Sequence, residues 1–295
     1  MVARLVVCGR CLSPAYQEAK HVAAQLQRIV NDQFSIETVD VLDLDWPVKL
    51  KEIQLIYGAH IVGECQDLLA YHTTLGFVAH NVAELQDWAA NRFQLEPPEG
   101  QQRPDYQRLA RESLRTFCKS RAKDSIFVFM KFDRDGLPLG TIVFELFKSL
   151  MPKTCENFRL LCTGDHSYDG AKLHYLQTPI HRIVKDAWIQ GGDIVGGNGD
   201  RTRSAVLTLF EDESFTIKHD RAGILSMANE GEPHTNGSQF FITLRDLKYL
   251  DYKKVAFGRV IDGLEVLNAI GTSTTCNERP EPIITISDCG EYQFV

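Results

Sequence analysis

A polar, proline-rich segment at residues 94–104 restricts the folding of this chain more than any other feature. Proline fixes φ and lacks a backbone N–H, so the segment cannot continue a helix or a central strand. A chain of 295 residues is also long for a single hydrophobic core. We therefore predict two domains, 1–93 and 125–295, joined by a linker at 94–124. The linker ends in a docking helix whose apolar face carries Tyr106, Leu109, Leu114 and Phe117.

Charge and hydropathy exclude several classes of protein. The net charge is −7, without a run of Lys and Arg, which argues against nucleic acid as a partner. No stretch approaches the roughly 18 apolar residues of a membrane span, and the apolar run at Leu5–Val7 is too short for a signal peptide. We expect a cytoplasmic protein that does not bind a membrane.

The eight cysteines are scattered, and only Cys8 and Cys11 have the Cys-x-x-Cys spacing. No second pair follows to complete a zinc site, so we predict no metal and no cofactor. The remaining alternative for Cys8 and Cys11 is a redox dithiol. We favour two unpaired thiols, because both lie upstream of the predicted helix start, where a helix dipole would lower a thiol pKa.

The order of elements in the N-terminal region indicates an α/β domain. Leu5–Val7 predicts a buried strand, Ser13 and Pro14 predict a helix start, and residues 34–41 predict a second strand. Asn81 followed by Glu84 predicts the capped start of a later helix. This order resembles the thioredoxin-like fold, although residues 47–80 are too ambiguous to place strands.

From Ile126 onward the pattern changes to many short strands. The apolar runs at 126–130 and 140–146 flank an Asp133–Gly136 turn, which indicates a hairpin. Helices are predicted only after Pro152 and near 264–270. Short strands with two helices predict a closed β-barrel that the helices cap.

Several sequence blocks in this half occur in the order found in one known family. They are Phe144-Glu145-Leu146-Phe147, His181-Arg182-Ile183-Val184, Ile189-Gln190-Gly191-Gly192-Asp193, Gly223-Ile224-Leu225-Ser226-Met227-Ala228-Asn229, Asn236-Gly237-Ser238-Gln239-Phe240-Phe241 and Val255-Ala256-Phe257-Gly258. Together they resemble the cyclophilin-type peptidyl-prolyl cis-trans isomerases. The pairing with a thioredoxin-like region further resembles the isomerase-like 6 group of that family.

The resemblance implies a reaction and roles for particular residues. Rotation about a peptide bond is opposed by about 18–20 kcal/mol of amide resonance. Arg182 would stabilise the twisted amide, Gln190 would orient Arg182, and Asn229 would hold the residue before proline through its backbone. The groove for proline-containing segments of proteins would be lined by Ala187, Trp188, Gly199, Ala228, Gln239, Phe241, Tyr249, Leu250 and Lys254.

The chain departs from the family pattern inside that groove. Ala187-Trp188 stands where the family usually has Phe followed by a small aliphatic residue or Met, Tyr249 stands where it commonly has Trp, and Lys254 stands where it usually has His. Losing the aromatic wall at Ala187 removes about 1–3 kcal/mol of apolar contact. Trp188 would either refill that space or plug the pocket, and Lys254 would add a second cation near Arg182.

Two functions are therefore compatible with the sequence. The first is an isomerase of reduced activity that binds cyclosporin weakly. The second is a binding or scaffold module of low or absent turnover in a larger assembly, which the group resemblance suggests to be ciliary or axonemal. A thiol-disulfide enzyme is disfavoured by Ser13.

Overall fold

The computed structural model describes residues 3–30, 34–63, 65–95, 103–168, 170–205 and 208–294. Contacts divide the chain into two compact units, Met1–Lys119 and Ser120–Val295. Most of the proline-rich segment 94–104, namely residues 96–102, lies outside the described residues. Within the described ranges, every helix is too short or too polar to cross a membrane.

The first unit contains a mixed four-stranded sheet and helices. Its elements are β1 (Arg4–Arg10), α1 (Pro14–Val30), β2 (Ser35–Val41), α2 (Trp46–Tyr57), α3 (Ala59–Val62), β3 (Leu68–His72), β4 (Gly76–Ala79), α4 (Val82–Phe93) and most of α5 (Tyr106–Arg121). The strand order is β2-β1-β3-β4. β1 runs parallel to β2, and β3 runs antiparallel to both β1 and β4.

Both faces of this sheet are covered. Leu5 and Val7 of β1 pack with α1 and α4 on one face, whereas Val6 and Cys8 pack with α2 and α3 on the other. Successive strand residues point to opposite faces, so a strand covered on both sides is a continuous apolar run. This explains why β1 shows no alternation of apolar and polar residues.

The predicted helix starts in this unit are confirmed. α1 begins at Pro14, and the backbone N–H of Tyr16 donates to Ser13 Oγ at 3.4 Å. α4 begins after Asn81, whose Oδ1 accepts from the Glu84 N–H at 2.9 Å. The Glu84 carboxylate in turn accepts from the His80 N–H at 2.8 Å, one residue before the cap, and from Asn81 Nδ2 at 2.7 Å.

Helix α5 buries a face centred on Ala110, Leu114 and Cys118, which only partly coincides with the predicted one. Leu114 is buried, and Tyr106, Leu109 and Phe117 are half-buried. Gln17 of α1 donates to Ser113 Oγ at 3.1 Å, which attaches this helix to the first unit.

The second unit is an antiparallel barrel with two helices. Its elements are β5 (Ile126–Arg134), β6 (Leu137–Leu146), α6 (Pro152–Thr163), β7 (His166–Tyr168), β8 (Ala171–Leu173), β9 (Ile180–Val184), β10 (Trp188–Gly191), β11 (Ile224–Asn229), β12 (Asn236–Thr243), a 3-10 turn at Lys248–Leu250, β13 (Ala256–Asp262), α7 (Leu264–Gly271), β14 (Thr275–Cys276), β15 (Arg279–Pro280) and β16 (Ile284–Glu291). The eight main strands have the order β16-β5-β6-β13-β11-β12-β10-β9.

The barrel is nearly closed rather than fully closed. A single antiparallel bridge, Pro179 to Thr285, joins the β9 end of the sheet to β16. The predicted hairpin is confirmed, with Asp135 and Gly136 at positive φ between β5 and β6. Both predicted helices are present as α6 and α7.

An aromatic cluster fills the barrel beneath α6. The Phe158 ring lies 5.2–5.3 Å from the rings of Tyr175, Phe240 and Phe257. Tyr175 donates its hydroxyl to the Ser238 carbonyl at 2.6 Å, so its buried polar atom is satisfied. This core fixes β12, on which two of the predicted groove residues lie.

Candidate active site

Three neighbouring strands place the central predicted residues side by side. Arg182 on β9 is opposite Gln190 on β10, and Gln190 is opposite Phe241 on β12. Opposed residues of antiparallel strands carry their side chains on the same face of the sheet. A cation, an amide and an aromatic ring therefore form one row across the barrel.

Arg182 is held at one nitrogen and open at the others. Its Nε donates to Glu278 Oε2 at 2.7 Å, and its side chain is 45% exposed. Within the part of the chain that the structure describes, its two Nη nitrogens make no hydrogen bond. A guanidinium carries its charge at any pH relevant to a protein, so these N–H groups are permanent donors.

An apolar socket lies beside Arg182. Its buried members are Ala187, Phe241, Leu247 and Leu250, and it is bordered by Val184, Trp188 and Ala228. Phe241 and Leu250 were predicted from the family pattern, whereas Leu247 was not. Ala187 is 5% exposed, so the missing aromatic wall leaves no open hole at its own position.

The Trp188 indole packs against the socket and beside Arg182. Its ring centroid lies 5.8 Å from that of Phe241 and 5.6 Å from the Arg182 guanidinium carbon. Its Nε1 donates to Gln190 Oε1 at 3.3 Å. Trp188 therefore contacts all three members of the row, Arg182, Gln190 and Phe241.

Gln190, which the family pattern assigns to orienting Arg182, makes no hydrogen bond to Arg182 within the described residues. Its Nε2 donates to Gln239 Oε1 at 2.9 Å, and its Oε1 accepts from Trp188. Arg182 is bonded to Glu278 instead, because a carboxylate is a stronger acceptor for a guanidinium than a neutral amide is. Gln190 is therefore part of an amide chain along the groove floor.

That chain continues into a glycine-dependent loop. Gln239 donates to the carbonyls of Gly199 and Arg201, both at 2.9 Å. Gly199 has φ +93°, and a Cβ at this position would lie 2.6 Å from His181 Cδ2. Part of the altered 200–209 loop, residues 206–207, lies outside the described residues.

Lys254 is directed toward Asn229 rather than toward Arg182. Its Nζ donates to Asn229 Oδ1, which also accepts from the Gly231 N–H at 3.2 Å. Burial lowers the Lys254 pKa from its ordinary value, and the negative charge of Asp212 opposes that shift. The expected repulsion is relieved because Glu278 balances Arg182 while Lys254 bonds an amide oxygen.

Tyr249 lies at the rim of the socket. It belongs to the 3-10 turn at Lys248–Leu250 and is 55% exposed, whereas the next residue, Leu250, is buried. The turn therefore directs one side chain into the socket and the other toward solvent.

Besides Leu247, two polar features of the site were not predicted from the sequence. Glu278 is one, since it is far from Arg182 in sequence and no motif connects them. The other is a buried polar group behind Phe241. The His219 ring stacks on Phe241 at 5.8 Å, with Nδ1 3.1 Å from Asp251 Oδ1 and Nε2 3.0 Å from Ser226 Oγ. Burial lowers the His219 pKa, while Asp251 opposes that shift.

Cys8 and Cys11 do not form an evident redox centre. The Cys8 thiol is fully buried and donates to the Leu69 carbonyl at 3.4 Å, and burial raises its pKa to about 12. Cys11 is also buried, and no disulfide joins them. Across the described residues, no cluster of three His, Cys, Asp or Glu side chains could hold a metal ion.

Comparison with known proteins agrees with this geometry. The profile of the family described as cyclophilin type peptidyl-prolyl cis-trans isomerase/CLD matches residues 129–291. A Mus musculus protein named probable inactive peptidyl-prolyl cis-trans isomerase-like 6 is 36% identical over 299 residues, covering 97% of this chain and 90% of that protein. The Homo sapiens protein of the same name is 48% identical over 167 residues, covering 56% of this chain.

The match spans only about half of the human protein, 53% of its length. Peptidyl-prolyl cis-trans isomerase 11 of Caenorhabditis elegans is 44% identical over 172 residues, covering 58% of this chain and 93% of that protein. A matched profile over more than half of the chain, together with the Arg182 row and its socket, shows that the chain belongs to the cyclophilin-type peptidyl-prolyl cis-trans isomerase family.

Proposed function

We propose that this protein catalyses cis-trans isomerisation of X-Pro bonds at a reduced rate. The observation that carries the proposal is the open pair of Arg182 Nη nitrogens beside the socket of Phe241 and Leu250. A guanidinium fixed at Nε presents its remaining donors without a cost of reorientation at the transition state.

The site supplies what a twisted amide requires. When resonance is broken, the lone pair becomes localised on the proline nitrogen, and a fixed cationic donor in a partly dry site stabilises it. The socket would hold the proline ring, and the Gln190–Gln239 chain would bond the backbone of the peptide. The reaction needs neither a nucleophile nor a metal.

The reduced rate follows from the socket. With Ala187 in place of an aromatic wall, about 1–3 kcal/mol of contact to the proline ring is lost. If that contact is made in the transition state, the rate falls by about tenfold to over a hundredfold. Trp188 restores part of the apolar surface, but its ring also occupies space that the proline ring would use.

The second candidate is a proline-peptide binding module of low or absent turnover. It is favoured by the Lys254 contact to Asn229, which places a cation where the peptide backbone would pass. The mouse and human relatives are named probable inactive. In that case the groove would bind proline-containing segments within a larger assembly. We propose that this assembly is ciliary or axonemal.

The decisive experiment compares wild type with Arg182→Ala by exchange NMR on a proline peptide. Arg245→Ala is the matched control, because Arg245 is exposed and carries the same charge. We expect catalysed exchange in wild type and Arg245→Ala and none in Arg182→Ala. Exchange that survives in Arg182→Ala would refute the assignment, and peptide binding without exchange in wild type would favour the binding module.

We also infer that the first unit is thioredoxin-like. This is supported by the β2-β1-β3-β4 order with β3 antiparallel, and by helices on both faces of the sheet. The helix start carries Ser13-Pro14 rather than cysteine, which supports a role in binding rather than in thiol chemistry.

A further inference from the structure

The Arg182–Glu278 pair is the starting point for a further inference, which rests on the proposed function. Glu278 is supplied by the tight hairpin formed by β14 and β15. Its carboxylate is 46% exposed, and only Oε2 is bonded, to Arg182. The other oxygen, Oε1, makes no hydrogen bond within the described residues, so it is open toward a ligand.

The backbone fixes this carboxylate at the edge of the site. The Ile183 N–H, next to Arg182, donates to the Glu278 carbonyl at 2.6 Å. Arg279 donates from Nη2 to the Asn198 carbonyl at 2.9 Å. The hairpin is thus tied to β9 and to the loop that precedes Gly199, and the position of Glu278 does not depend on its side chain alone.

The turn conformation is an independent observation. Asn277 and Glu278 both have positive φ, at 50° and 65°. A two-residue turn with positive φ at both positions is normally Asn-Gly, because glycine adopts that conformation without strain. Glutamate at the second position is strained, and such strain concentrates at functional positions.

The order of strands indicates which part of a substrate meets Glu278. Asn229, which the family pattern assigns to the residue before proline, lies on β11, and Arg182 lies on β9. β12 and β10 separate these two strands. A peptide that crosses the groove from Asn229 to Arg182 would carry the residue after proline onto the β14–β15 hairpin.

We propose that Glu278 determines the charge preference for the residue that follows proline, disfavouring Asp and Glu at that position relative to Lys and Arg. Without its partner, Arg182 would attract an acidic side chain. Glu278 offsets that attraction, because its own carboxylate repels an acidic side chain and attracts a basic one. At separations of several ångströms near a protein surface, removing one such charge changes a preference by about fivefold.

The test uses three peptides that differ only after proline, with Lys, Gln or Glu at that position. Exchange NMR at low ionic strength gives kcat/KM for wild type, Glu278→Gln and Glu278→Gly. The first variant keeps the side-chain shape, and the second suits the positive φ, so a folding defect in one is covered by the other. Glu281→Gln is the matched control, since Glu281 is exposed three positions along the same segment.

The quantity compared is kcat/KM for the Lys peptide divided by kcat/KM for the Glu peptide. We expect this ratio to fall about fivefold in both Glu278 variants and to stay unchanged in Glu281→Gln. At high salt, wild type and the Glu278 variants should give the same ratio. A ratio unchanged in both Glu278 variants would overturn the proposal. If wild type catalyses exchange of none of the peptides, including the neutral one, turnover itself has failed. The preference for the Lys over the Glu peptide is then measured from their dissociation constants by chemical-shift titration. A preference that falls in both Glu278 variants supports the role of Glu278, and an unchanged preference overturns it.

Discussion

Restoring the aromatic wall of the socket should raise isomerase efficiency. We expect the double variant Ala187→Phe with Trp188→Met to increase kcat/KM by about tenfold or more. Ala187 is 5% exposed and belongs to the cluster of Phe241 and Leu250, so a phenyl ring there would be buried against the proline ring. Contact of that size contributes about 1–3 kcal/mol, which is about tenfold to over a hundredfold in rate.

Both substitutions are needed because the indole occupies the adjacent space. The ring centroids of Trp188 and Phe241 lie 5.8 Å apart, so Ala187→Phe alone would overfill the socket and reduce stability. Trp188→Met alone should leave the socket underfilled. It also removes the donor to Gln190 Oε1, at a cost of about 0.5–1.5 kcal/mol for a net hydrogen bond.

The assay is exchange NMR on one neutral peptide for wild type, both single variants and the double variant, with melting temperatures measured in parallel. The two residues are neighbours, so their effects should be strongly non-additive. A folded double variant that binds the peptide but gains no rate would refute the reasoning. The limit would then lie with Lys254 or with the 200–209 loop, and the binding-module function would be preferred.

Two further outcomes are expected. Cyclosporin should bind wild type weakly and Tyr249→Trp more tightly. An indole N–H at the rim can donate to the ligand backbone, whereas the hydroxyl of Tyr249 lies at a different distance from the ring. Equal affinities in a calorimetric titration would contradict this. Burial lowers the His219 pKa, so the unfolded chain takes up a proton near the ordinary value of 6.5, whereas the folded protein takes it up only at lower pH. Stability from neutral His219 is therefore present above that value and is lost as pH falls below it. The unfolding free energy of wild type relative to His219→Gln should fall between pH 7.5 and 5.5, and a difference independent of pH would show that His219 is not held neutral.

Short sequence patterns correctly predicted the turns, helix starts and strand residues that depend on neighbouring positions in the chain. The Asp133–Gly136 hairpin, the starts of α1, α4 and α6, and the row of groove residues all depend on short runs of sequence. Residues 47–80 could not be placed, because apolar residues there do not mark one buried face. Leu55 and Ile56 of α2 are 87% and 71% exposed, so the spacing of apolar residues does not mark the buried face of this helix.

The partners of Arg182 could not be predicted for a different reason. Glu278 reaches it from another hairpin, through a turn that has no family block around it. The sequence indicates that a carboxylate would reduce the repulsion between Arg182 and Lys254, but it does not indicate which carboxylate. Side-chain choices such as the Gln190 bond to Gln239 depend on competition among several acceptors in three dimensions.

The pairing of β5 with β16 has a consequence for how this protein is made. β5 begins at Ile126, and its partner strand ends at Glu291, so the barrel cannot close until nearly all of the second unit has left the ribosome. Contacts so distant along the chain make folding slow, and they leave the hydrophobic edges of the early strands open during synthesis. A protein proposed to accelerate a slow step in the folding of others thus depends, for its own maturation, on a late closure of its barrel.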